Sequence, residues 1–346
     1  MATIADVARR AGVSIATVSR VLSPAPSPHP VSARTAARVR EAAQALDFVP
    51  SALARGLASR RSGLIGLIVR DLADPHYPHV AGGAEDAARR HGLAVLVCNT
   101  LGQPDRLADY LRLLNARHVD AIVLCGGSTL SPPELASLGA SAAPVVLIGR
   151  PAPPWQPPFV SIDNLGAARA VTRHLVETGR RRIAHLAGPA SQTTMLDRAA
   201  GYAEALAEAG LPTEVVETNA SPADGLARAR RLLRRPAARR PDAVFAATDR
   251  LALSVLAAAA DVGLGVPRDL AVFGFDDLPL APYVRPSLSS VTQPAHRLGR
   301  EALGLALRLI DGARPDPVVV AAEIVVRDSS APRQPGSDQR SPSGPR

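Results

Sequence analysis

Four charged side chains lie just after predicted buried strands, where an α/β protein binds its ligand. Asp71 lies two residues after the apolar run "LIGLIV", Arg150 follows "PVVLIG", Asp249 follows "DAVFAAT" and Asp276 follows "LAVFGF". In open parallel sheets, ligands bind beyond the carboxyl ends of the strands. An acid at the end of a buried strand also needs a partner, because an unpaired buried charge is costly. These positions, together with the "ADPHY" loop after the first strand, predict a polar ligand site.

Metal and catalytic chemistry are not predicted. His76 and His79 are three residues apart, but Pro78 breaks the helical spacing and no third ligand is nearby. The segment "FGFDDLP" carries two acids without a complementary nucleophile or phosphate-binding loop, and the pattern G-x-S-x-G is absent. The chain is therefore predicted not to be an enzyme, and no cofactor is expected.

A second arrangement suited to binding lies in "IADVARRAGVSIATVSRVLS", residues 4–23. Thr3 caps a first helix, and Gly12 predicts its end because glycine readily adopts positive φ. Ser14 caps a second helix that runs to about Leu22. Two helices joined by a tight, glycine-containing turn are typical of a helix-turn-helix, whose second helix enters the major groove.

The faces of these helices support the same interpretation. Val18, Val21 and Leu22 fall on one face of the second helix, and Ile15, Ala16, Ser19 and Arg20 fall on another. A third helix from Ser32 to Leu46 is enough to close a small core. The alternative is a helical hairpin with a solvated face, but an apolar residue such as Ile15 has no reason to lead such a helix.

Charge is concentrated at one end of the chain. Residues 1–62 contain nine arginines and three acids, and residues 329–346 add three arginines and one acid. The net charge of the whole chain is +9, so the middle is close to neutral. A basic head on a neutral body is typical of a protein that contacts a polyanion at one end, with nucleic acid the first candidate.

The rest of the chain has the pattern of an α/β body. Its 346 residues leave room for two or three domains. Seven short apolar runs alternate with helical patterns, and a break at "RPAPPWQPPF" implies two parallel sheets. Cys98 and Cys125 lie in such runs and are expected to be buried, reduced thiols. We expect a cytoplasmic protein without membrane contact, since neither an export signal nor a spanning segment is recognisable.

Two motifs resemble the LacI-type family of bacterial transcriptional regulators: "ATIADVARRAGVSIATVSRVLS" and "DFVPSALARGL". The likeness continues to about Asp328, although the loop 23–32 is longer and richer in proline than the usual turn. The resemblance implies an all-α helix-turn-helix headpiece before an α/β body of two doubly wound lobes, similar to periplasmic sugar-binding proteins. The expected parts are a headpiece (1–48), a hinge (49–62), a first lobe (63–162 with 293–318), a second lobe (163–292 with 319–328) and a disordered tail (329–346).

The resemblance also implies DNA-contacting residues. Ile15, Ala16 and Arg20 occupy base-reading positions, and Ser14, Thr17 and Ser19 lie nearer the phosphates. Arginine can donate two hydrogen bonds to one guanine, whereas isoleucine and alanine offer only apolar contact, for example to a thymine methyl group. The operator of a relative that carries polar side chains there therefore cannot be transferred to this chain.

The hinge is expected to be a short helix that needs a partner to form, with a plain linker as the alternative. Leu57 matches a leucine that family members wedge into the minor groove, and Arg55 is placed to meet phosphates or a narrowed groove. The predicted DNA contacts are Thr3, Ser14, Ile15, Ala16, Thr17, Ser19, Arg20, Ser51, Leu53, Arg55 and Leu57.

For the effector site, the resemblance places His76 and Tyr77 in the pocket and makes Thr194, Arg198, Asp249 and Asp276 its polar anchors. Arg198 and Asp276 are the favoured pair, because a guanidinium and a carboxylate can hold neighbouring hydroxyls of a sugar or polyol. A structural salt bridge between the lobes is the alternative. The predicted contacts are His76, Tyr77, Arg150, Gln192, Thr194, Arg198, Asp249 and Asp276. Gln192 is a weaker candidate than the others, as is Asp163.

The sequence thus predicts a homodimeric transcriptional regulator that binds a pseudo-palindromic operator in double-stranded DNA and responds to a small molecule. The tail lacks the leucine heptads that a tetramer bundle needs. In the family, repression that a sugar relieves is the more frequent case. A regulator that needs its effector to bind DNA would have the same domains, so the sequence leaves both modes open. The rivals are a solute-binding protein, opposed by the basic head, and an enzyme on the same scaffold, opposed by the lack of a catalytic set.

Overall fold

The computed structural model describes residues 2–22, 31–48, 61–126 and 132–332. The chain divides into two compact units, Met1–Gly63 and Leu64–Arg346. Several predictions fall outside the described residues: those on most of the loop 23–32, on nearly all of the tail, and on the hinge contacts Ser51, Leu53, Arg55 and Leu57.

The described part of the first unit contains the helices that the sequence predicts: α1 (Ile4–Ala11), α2 (Ile15–Leu22) and α3 (Ala33–Ala45). At the start of α1, the Asp6 amide donates to the Thr3 hydroxyl and the Thr3 amide donates to the Asp6 carboxylate, at 3.3 and 2.9 Å. Both satisfy amides that the helix itself leaves unpaired. Gly12 then ends α1 with a φ of 61°, a conformation that glycine adopts without strain.

A small core fixes the angle between these helices. Val7, Val18 and Val39, one from each helix, are fully buried against one another. The Arg38 guanidinium donates to the carbonyl of Ala11 and, at 3.3 Å, to that of Gly12, so that α3 holds the turn between α1 and α2. Because one face of α2 is used for this core, its other face is available to a partner.

The second unit has two lobes, each built on a parallel sheet. The first lobe contains β1 (Leu64–Val69), α4 (His76–Arg90), β2 (Ala94–Asn99), α5 (Pro104–Ala116), β3 (Ala121–Cys125), α6 (Pro132–Gly139), β4 (Val145–Ile148), β5 (Phe159–Ile162), α11 (Ala295–Ile310) and β11 (Val318–Val320). The strand order is β11-β5-β4-β3-β1-β2, and every pair is parallel. Ile65, Leu67 and Ile68 are fully buried, because helices cover both faces of such a sheet.

The second lobe repeats this design with a smaller sheet. It contains α7 (Asn164–Glu177), β6 (Ile183–Ala187), α8 (Thr193–Glu208), β7 (Glu214–Glu217), α9 (Pro222–Leu233), β8 (Ala243–Ala246), α10 (Asp249–Asp261) and β9 (Ala271–Phe273). The strand order is β7-β6-β8-β9, again parallel. A short antiparallel pair, β10 (Ser290–Val291) with β12 (Ile324–Val325), lies beside it.

The chain passes between the lobes after β5, before α11 and after β11. Strand β11 extends two residues beyond position 318, where the sequence placed the end of the first lobe. The predicted disordered tail is wrong at its start, since Ser329 and Ser330 are fully buried. The Ser329 hydroxyl donates to the Val272 carbonyl at 2.6 Å and accepts the Ser289 amide at 2.8 Å. These bonds allow two polar residues to be buried.

Glycines allow α4 and α11 to approach closely. A Cβ on Gly83 would lie 1.8 Å from the carbonyl oxygen of His296, and a Cβ on Gly299 would lie 2.0 Å from the carbonyl oxygen of Val80. Both positions therefore exclude any side chain. This contact matters for the site described next, because the first turn of α4 carries His76 and Tyr77.

Candidate functional site

A cavity of about 80 Å³ lies between the carboxyl ends of the two large sheets. One wall is formed by residues that follow β1, β3, β4 and β5 of the first lobe, and the other by residues that follow β6, β8 and β9 of the second. Parallel sheets bind ligands at this edge. Six of the eight predicted effector contacts line the cavity: His76, Tyr77, Gln192, Thr194, Arg198 and Asp276.

Arg198, on α8, is the buried cation of the site. Its side chain is 3% exposed, and its guanidinium lies 3.5 Å from the centre of the Phe275 ring. Nε donates to Asn164 Oδ1 at 3.0 Å, and Nη1 donates to the Ala247 carbonyl at 2.5 Å. Burial lowers the pKa of Arg198, and the nearby Asp276 carboxylate opposes this shift. The side chain is therefore held rigidly with its positive charge at the cavity.

Asp276 provides the matching acid from the loop after β9. Its Oδ1 lies 3.8 Å from Arg198 Nη1 and accepts a hydrogen bond from Gln293 Nε2 at 2.7 Å. Burial raises the pKa of Asp276 well above its usual value, and the positive charge of Arg198 acts in the opposite direction. Its backbone has a φ of 120°, a strained conformation for a residue with a side chain. Such strain is typical of positions where side-chain placement matters.

His76 and Tyr77 form part of the first-lobe wall. Their rings meet edge to face with centroids 5.3 Å apart. Burial lowers the pKa of His76 to about 4, although Asp74 opposes this, so the imidazole is neutral at pH 7. Burial also raises the pKa of Tyr77, which keeps its phenol protonated. His76 and Tyr77 can therefore form hydrogen bonds with a ligand while both side chains are uncharged.

Two predicted effector contacts do not reach the cavity. Arg150 donates from Nε and Nη2 to the two carboxylate oxygens of Asp197, at 2.9 and 2.7 Å. Asp249 accepts the Ser290 hydroxyl at 2.6 Å and the Leu278 amide at 2.8 Å, and burial raises its pKa to about 7. The position after a strand places the backbone of each residue at the edge of the sheet that faces the cavity. The side chain, however, turns toward a nearer hydrogen-bond partner.

Other polar residues at the cavity are not predicted from the sequence. Asp74, Asn164 and Gln293 line it together with Ser161 and Thr248. Asp74 lies in the "ADPHY" loop, which the sequence predicts to be part of the site, and the structure adds the direction of its side chain. Asn164 follows β5, a strand that the sequence did not reveal. Asp163, a weaker candidate, instead accepts the Gly166 amide at 2.8 Å and caps α7.

The second binding surface is the free face of α2. Ser14, Ile15, Ala16, Ser19 and Arg20 are exposed, and Thr17 is half-buried. The Ser14 hydroxyl accepts the Thr17 amide at 3.2 Å, so it stabilises the start of the helix. Thr3 is exposed at the start of α1. Ile15 is 51% exposed, which places an apolar side chain at the leading end of this face.

In the part of the chain that the structure describes, neither the buried thiols nor any side-chain cluster points to a bound metal. Cys98 and Cys125 are buried free thiols, and burial raises the pKa of each. Within residues 2–22, 31–48, 61–126 and 132–332, no group of three or more His, Cys, Asp and Glu side chains is arranged to hold a metal ion. In the same described residues, no helix is both long and apolar enough to span a membrane.

Two protein-family descriptions match the chain in order. Residues 3–51 match "Bacterial regulatory proteins, lacI family", and residues 172–330 match "Periplasmic binding protein-like domain". The first match contains all three headpiece helices, and the second contains most of the second lobe.

Relatives of similar length support the same assignment. Catabolite control protein A of Priestia megaterium is 34% identical over 322 residues, covering 92% of this chain and 95% of that protein. The solved CelR–cellobiose complex is 32% identical with a TM-score of 0.71, covering 95% of this chain and 100% of that one. The lac repressor dimer bound to operator and the anti-inducer ONPF is 26% identical with a TM-score of 0.84, covering 95% and 99% of the two chains.

A helix-turn-helix headpiece and a two-lobed α/β body with a polar cavity together define a DNA-binding transcriptional regulator that senses a small molecule. The similarity extends along nearly the whole chain and nearly the whole length of the relatives. The chain belongs to the lacI family of bacterial regulatory proteins. Because this family consists of transcriptional regulators, the protein is a regulator and not an enzyme.

Proposed function

We propose that the effector of this regulator is an uncharged sugar or related polyol bound between the lobes. The observation that carries this proposal is the pair formed by Arg198 and Asp276, which are both buried and both face the cavity. Their closest atoms, Nη1 and Oδ1, are 3.8 Å apart, which is longer than a hydrogen bond. The two groups therefore do not satisfy each other, as a purely structural salt bridge would, and they leave acceptors and donors for ligand hydroxyls.

The charge of the lining favours an uncharged ligand. Among the described residues that line the cavity, Arg198 is the only cation, and Asp74 and Asp276 supply two carboxylates. His76 is neutral because its pKa is lowered to about 4. Each acid faces a cation, Asp276 facing Arg198 and Asp74 binding Arg250 just outside the lining. The cavity therefore has no surplus positive charge to neutralise a phosphate or carboxylate on the ligand, which disfavours a charged ligand. The CelR relative, solved with cellobiose, supports a neutral sugar as the class of effector.

Calorimetric titration of the full chain tests this proposal. Cellobiose and a panel of neutral mono- and disaccharides should include at least one compound that binds with micromolar to millimolar affinity and raises the unfolding temperature of the body. Ribose 5-phosphate and glucose 6-phosphate serve as charged counterparts and should not bind. Binding of the phosphorylated sugars in preference to every neutral sugar would contradict an uncharged effector.

The DNA-reading surface is assigned to the exposed face of α2. Arg20 is the candidate for a paired contact to guanine, and Ile15 and Ala16 are candidates for apolar contact with thymine methyl groups. The roles of Ser51, Leu53, Arg55 and Leu57 in the hinge rest on the family resemblance alone. Since chromosomal DNA is the target, we place the protein in the cytoplasm. Repression relieved by the effector is the mode that the family resemblance favours.

We also propose that the protein acts as a homodimer. The lac repressor relative was solved as a dimer on its operator. In this chain, Leu96 and Val97 are exposed on β2, which is an edge strand of the first sheet. Exposed apolar side chains at a sheet edge are typical of an interface, since an uncovered edge is prone to association. A two-fold dimer would bind the two halves of a pseudo-palindromic operator.

An Arg20→Ala substitution tests the base-reading role. We expect affinity for a selected operator to fall about 5- to 150-fold, because a paired arginine–guanine contact is worth about 1–3 kcal/mol of discrimination. Affinity for a scrambled duplex should change much less. The operator is first selected from random duplexes, and both affinities are then measured at one salt concentration.

Arg40→Ala is the matched control, because Arg40 is an exposed arginine of the headpiece on α3 rather than α2. It removes the same charge and should reduce binding to both duplexes by similar factors. If Arg20→Ala also weakened both duplexes equally, Arg20 would be a phosphate contact and not a base-reading residue. A pure solute-binding protein, the rival function, would select no operator at all.

A further inference from the structure

Among the described residues, two arginines form ion pairs between the lobes beside the cavity, one reaching from each lobe to the other. Arg150 of the first lobe binds Asp197 on α8 through two hydrogen bonds of 2.9 and 2.7 Å. On α10 of the second lobe, Arg250 lies 3.2 Å from Asp74 Oδ2 and 3.8 Å from Asp71 Oδ2, measured from its Nη1. The side chains of Arg250 and Asp74 are 23% and 18% exposed, so the pair is partly shielded from water but remains accessible to dissolved salt.

The Arg250–Asp74 pair differs from the Arg150–Asp197 pair because Asp74 lines the cavity and Asp197 does not. Asp74 Oδ1 accepts the His76 amide at 3.0 Å, and Asp74 Oδ2 accepts from Arg250. One oxygen is thus fixed by the start of α4 and the other by a cation from the opposite lobe. The orientation of Asp74 at the cavity, and that of the loop before His76, therefore depends on the second lobe being in place.

Three consecutive residues at the start of α10 organise both walls. Thr248 caps α10 through its hydroxyl and lines the cavity. Asp249 holds the turn after β9, through the Leu278 amide and the Ser290 hydroxyl, and that turn carries Asp276. Arg250 reaches across to Asp74. Asp276 of the second lobe and Asp74 of the first lobe are therefore both positioned by residues at the start of α10.

We propose that Arg250 is a positioning residue of the effector site: it holds Asp74 at the cavity from the opposite lobe and so keeps the lobes closed before the effector arrives. Its role in effector affinity rests on the proposed function, whereas its role in lobe closure does not. Because the first-lobe wall is already ordered before the effector binds, less of the binding free energy is lost in ordering it. Arg250 thereby adds to effector affinity without touching the effector.

Hydrogen exchange of the full chain without any sugar tests the closure directly. Four backbone amides donate hydrogen bonds within the loop 71–77, those of Ala73, Asp74, His76 and Tyr77. Two of their acceptors are the carboxylates of Asp71 and Asp74, which face Arg250. In Arg250→Gln we expect these amides to exchange about five- to tenfold faster, because loss of the cation frees the loop. Raising NaCl from 0.05 to 1 M should accelerate their exchange in the wild type and change little in Arg250→Gln.

Three further variants separate positioning from a general effect on α10. Arg230→Gln removes an ion pair to Asp261 on α10, 2.7 Å long, whose partners both lie in the second lobe; exchange of the loop should be unchanged. Arg250→Lys keeps the charge and should restore the salt dependence. In an Asp74→Asn background most of the effect of Arg250→Gln should disappear, since the partner is already lost.

Equal exchange of the loop in wild type and Arg250→Gln at low salt would overturn the proposal, as would an undiminished effect of Arg250→Gln in the Asp74→Asn background. A second measurement uses whichever neutral sugar binds the wild type in calorimetry: its affinity should fall about five- to tenfold in Arg250→Gln. If no neutral sugar binds but the exchange results hold, the proposed effector class fails while the closure by Arg250 stands.

Discussion

Gly299→Ala should destabilise the first lobe by about 3 kcal/mol or more, and Gly304→Ala, on the same helix, should stabilise it by about 0.5–1 kcal/mol. The two substitutions add the same methyl group to α11. At position 299 the new Cβ would lie 2.0 Å from the carbonyl oxygen of Val80, whereas at position 304 it would meet nothing within 4 Å. The sign of the effect therefore depends on the packing partner and not on the helix.

The large cost at position 299 follows from what the methyl group would meet. A flexible side chain can move aside, but the Val80 carbonyl belongs to the backbone of α4, so the two helices would have to separate. The reciprocal contact at Gly83, where a Cβ would lie 1.8 Å from the His296 carbonyl, would be lost as well. Separation would also leave space between closely packed helices, which costs further dispersion energy.

Urea unfolding followed by tryptophan fluorescence measures both effects. The chain contains one tryptophan, Trp155, which packs partly buried against the core of the first lobe and so reports on the lobe that contains α4 and α11. Gly299→Ala should lower the midpoint and Gly304→Ala should raise it. If the two variants shifted the midpoint in the same direction, the close approach of α4 and α11 would not be the cause.

Most of the fold could be predicted from local sequence signals. The helices of the headpiece are bounded by Thr3, Gly12, Ser14 and Ser32, whose capping and turn preferences act over a few residues. The seven apolar runs all form strands, and most of them are buried in a parallel sheet, as uninterrupted apolar runs usually are. The exception is the edge strand β2, where Leu96 and Val97 are exposed. These predictions needed no knowledge of distant contacts.

The strands that the sequence missed depend on distant partners. Strand β5 (Phe159–Ile162) begins at the last residue of the proline-rich segment 150–159, whose composition predicts a break between the sheets. Strand β7 (Glu214–Glu217) has two valines between two glutamates and lies at the edge of its sheet, where none of its residues is fully buried. Strand β11 joins the first sheet only because the chain returns to that lobe late in the sequence. Such pairings carry no strong local signal.

The candidate site shows the same division. The rule for strand ends correctly predicts which edge of each sheet faces the cavity, and it finds the loops that carry Asp74 and Asp276. It does not predict side-chain direction, which is why Arg150 and Asp249 were assigned to the effector although each binds a nearer partner. Asn164 was missed for the opposite reason, since its position became significant only when β5 was known.

Asp276→Asn should remove most of the response to the effector while leaving operator binding without effector unchanged. Asparagine keeps the size of the side chain and tolerates positive φ better than alanine does, which matters because φ at this position is 120°. It removes the carboxyl group that faces the buried Arg198 cation, so a ligand hydroxyl held between the two groups loses its acidic partner. A hydrogen bond to a charged group contributes about 1.5–3 kcal/mol, so effector affinity should fall about 10- to 150-fold.

The neighbouring residue provides a closely matched control. Asp277 also has a positive φ, of 50°, but it binds Arg327 at 2.7 Å and does not line the cavity. Asp277→Asn removes one carboxylate from the same loop and should leave the effector response intact. The readout is operator affinity with and without the neutral sugar that binds the wild type. An Asp276→Asn variant that responds normally, or an Asp277→Asn variant that loses the response to the same degree, would show that the carboxylate of Asp276 does not bind the effector.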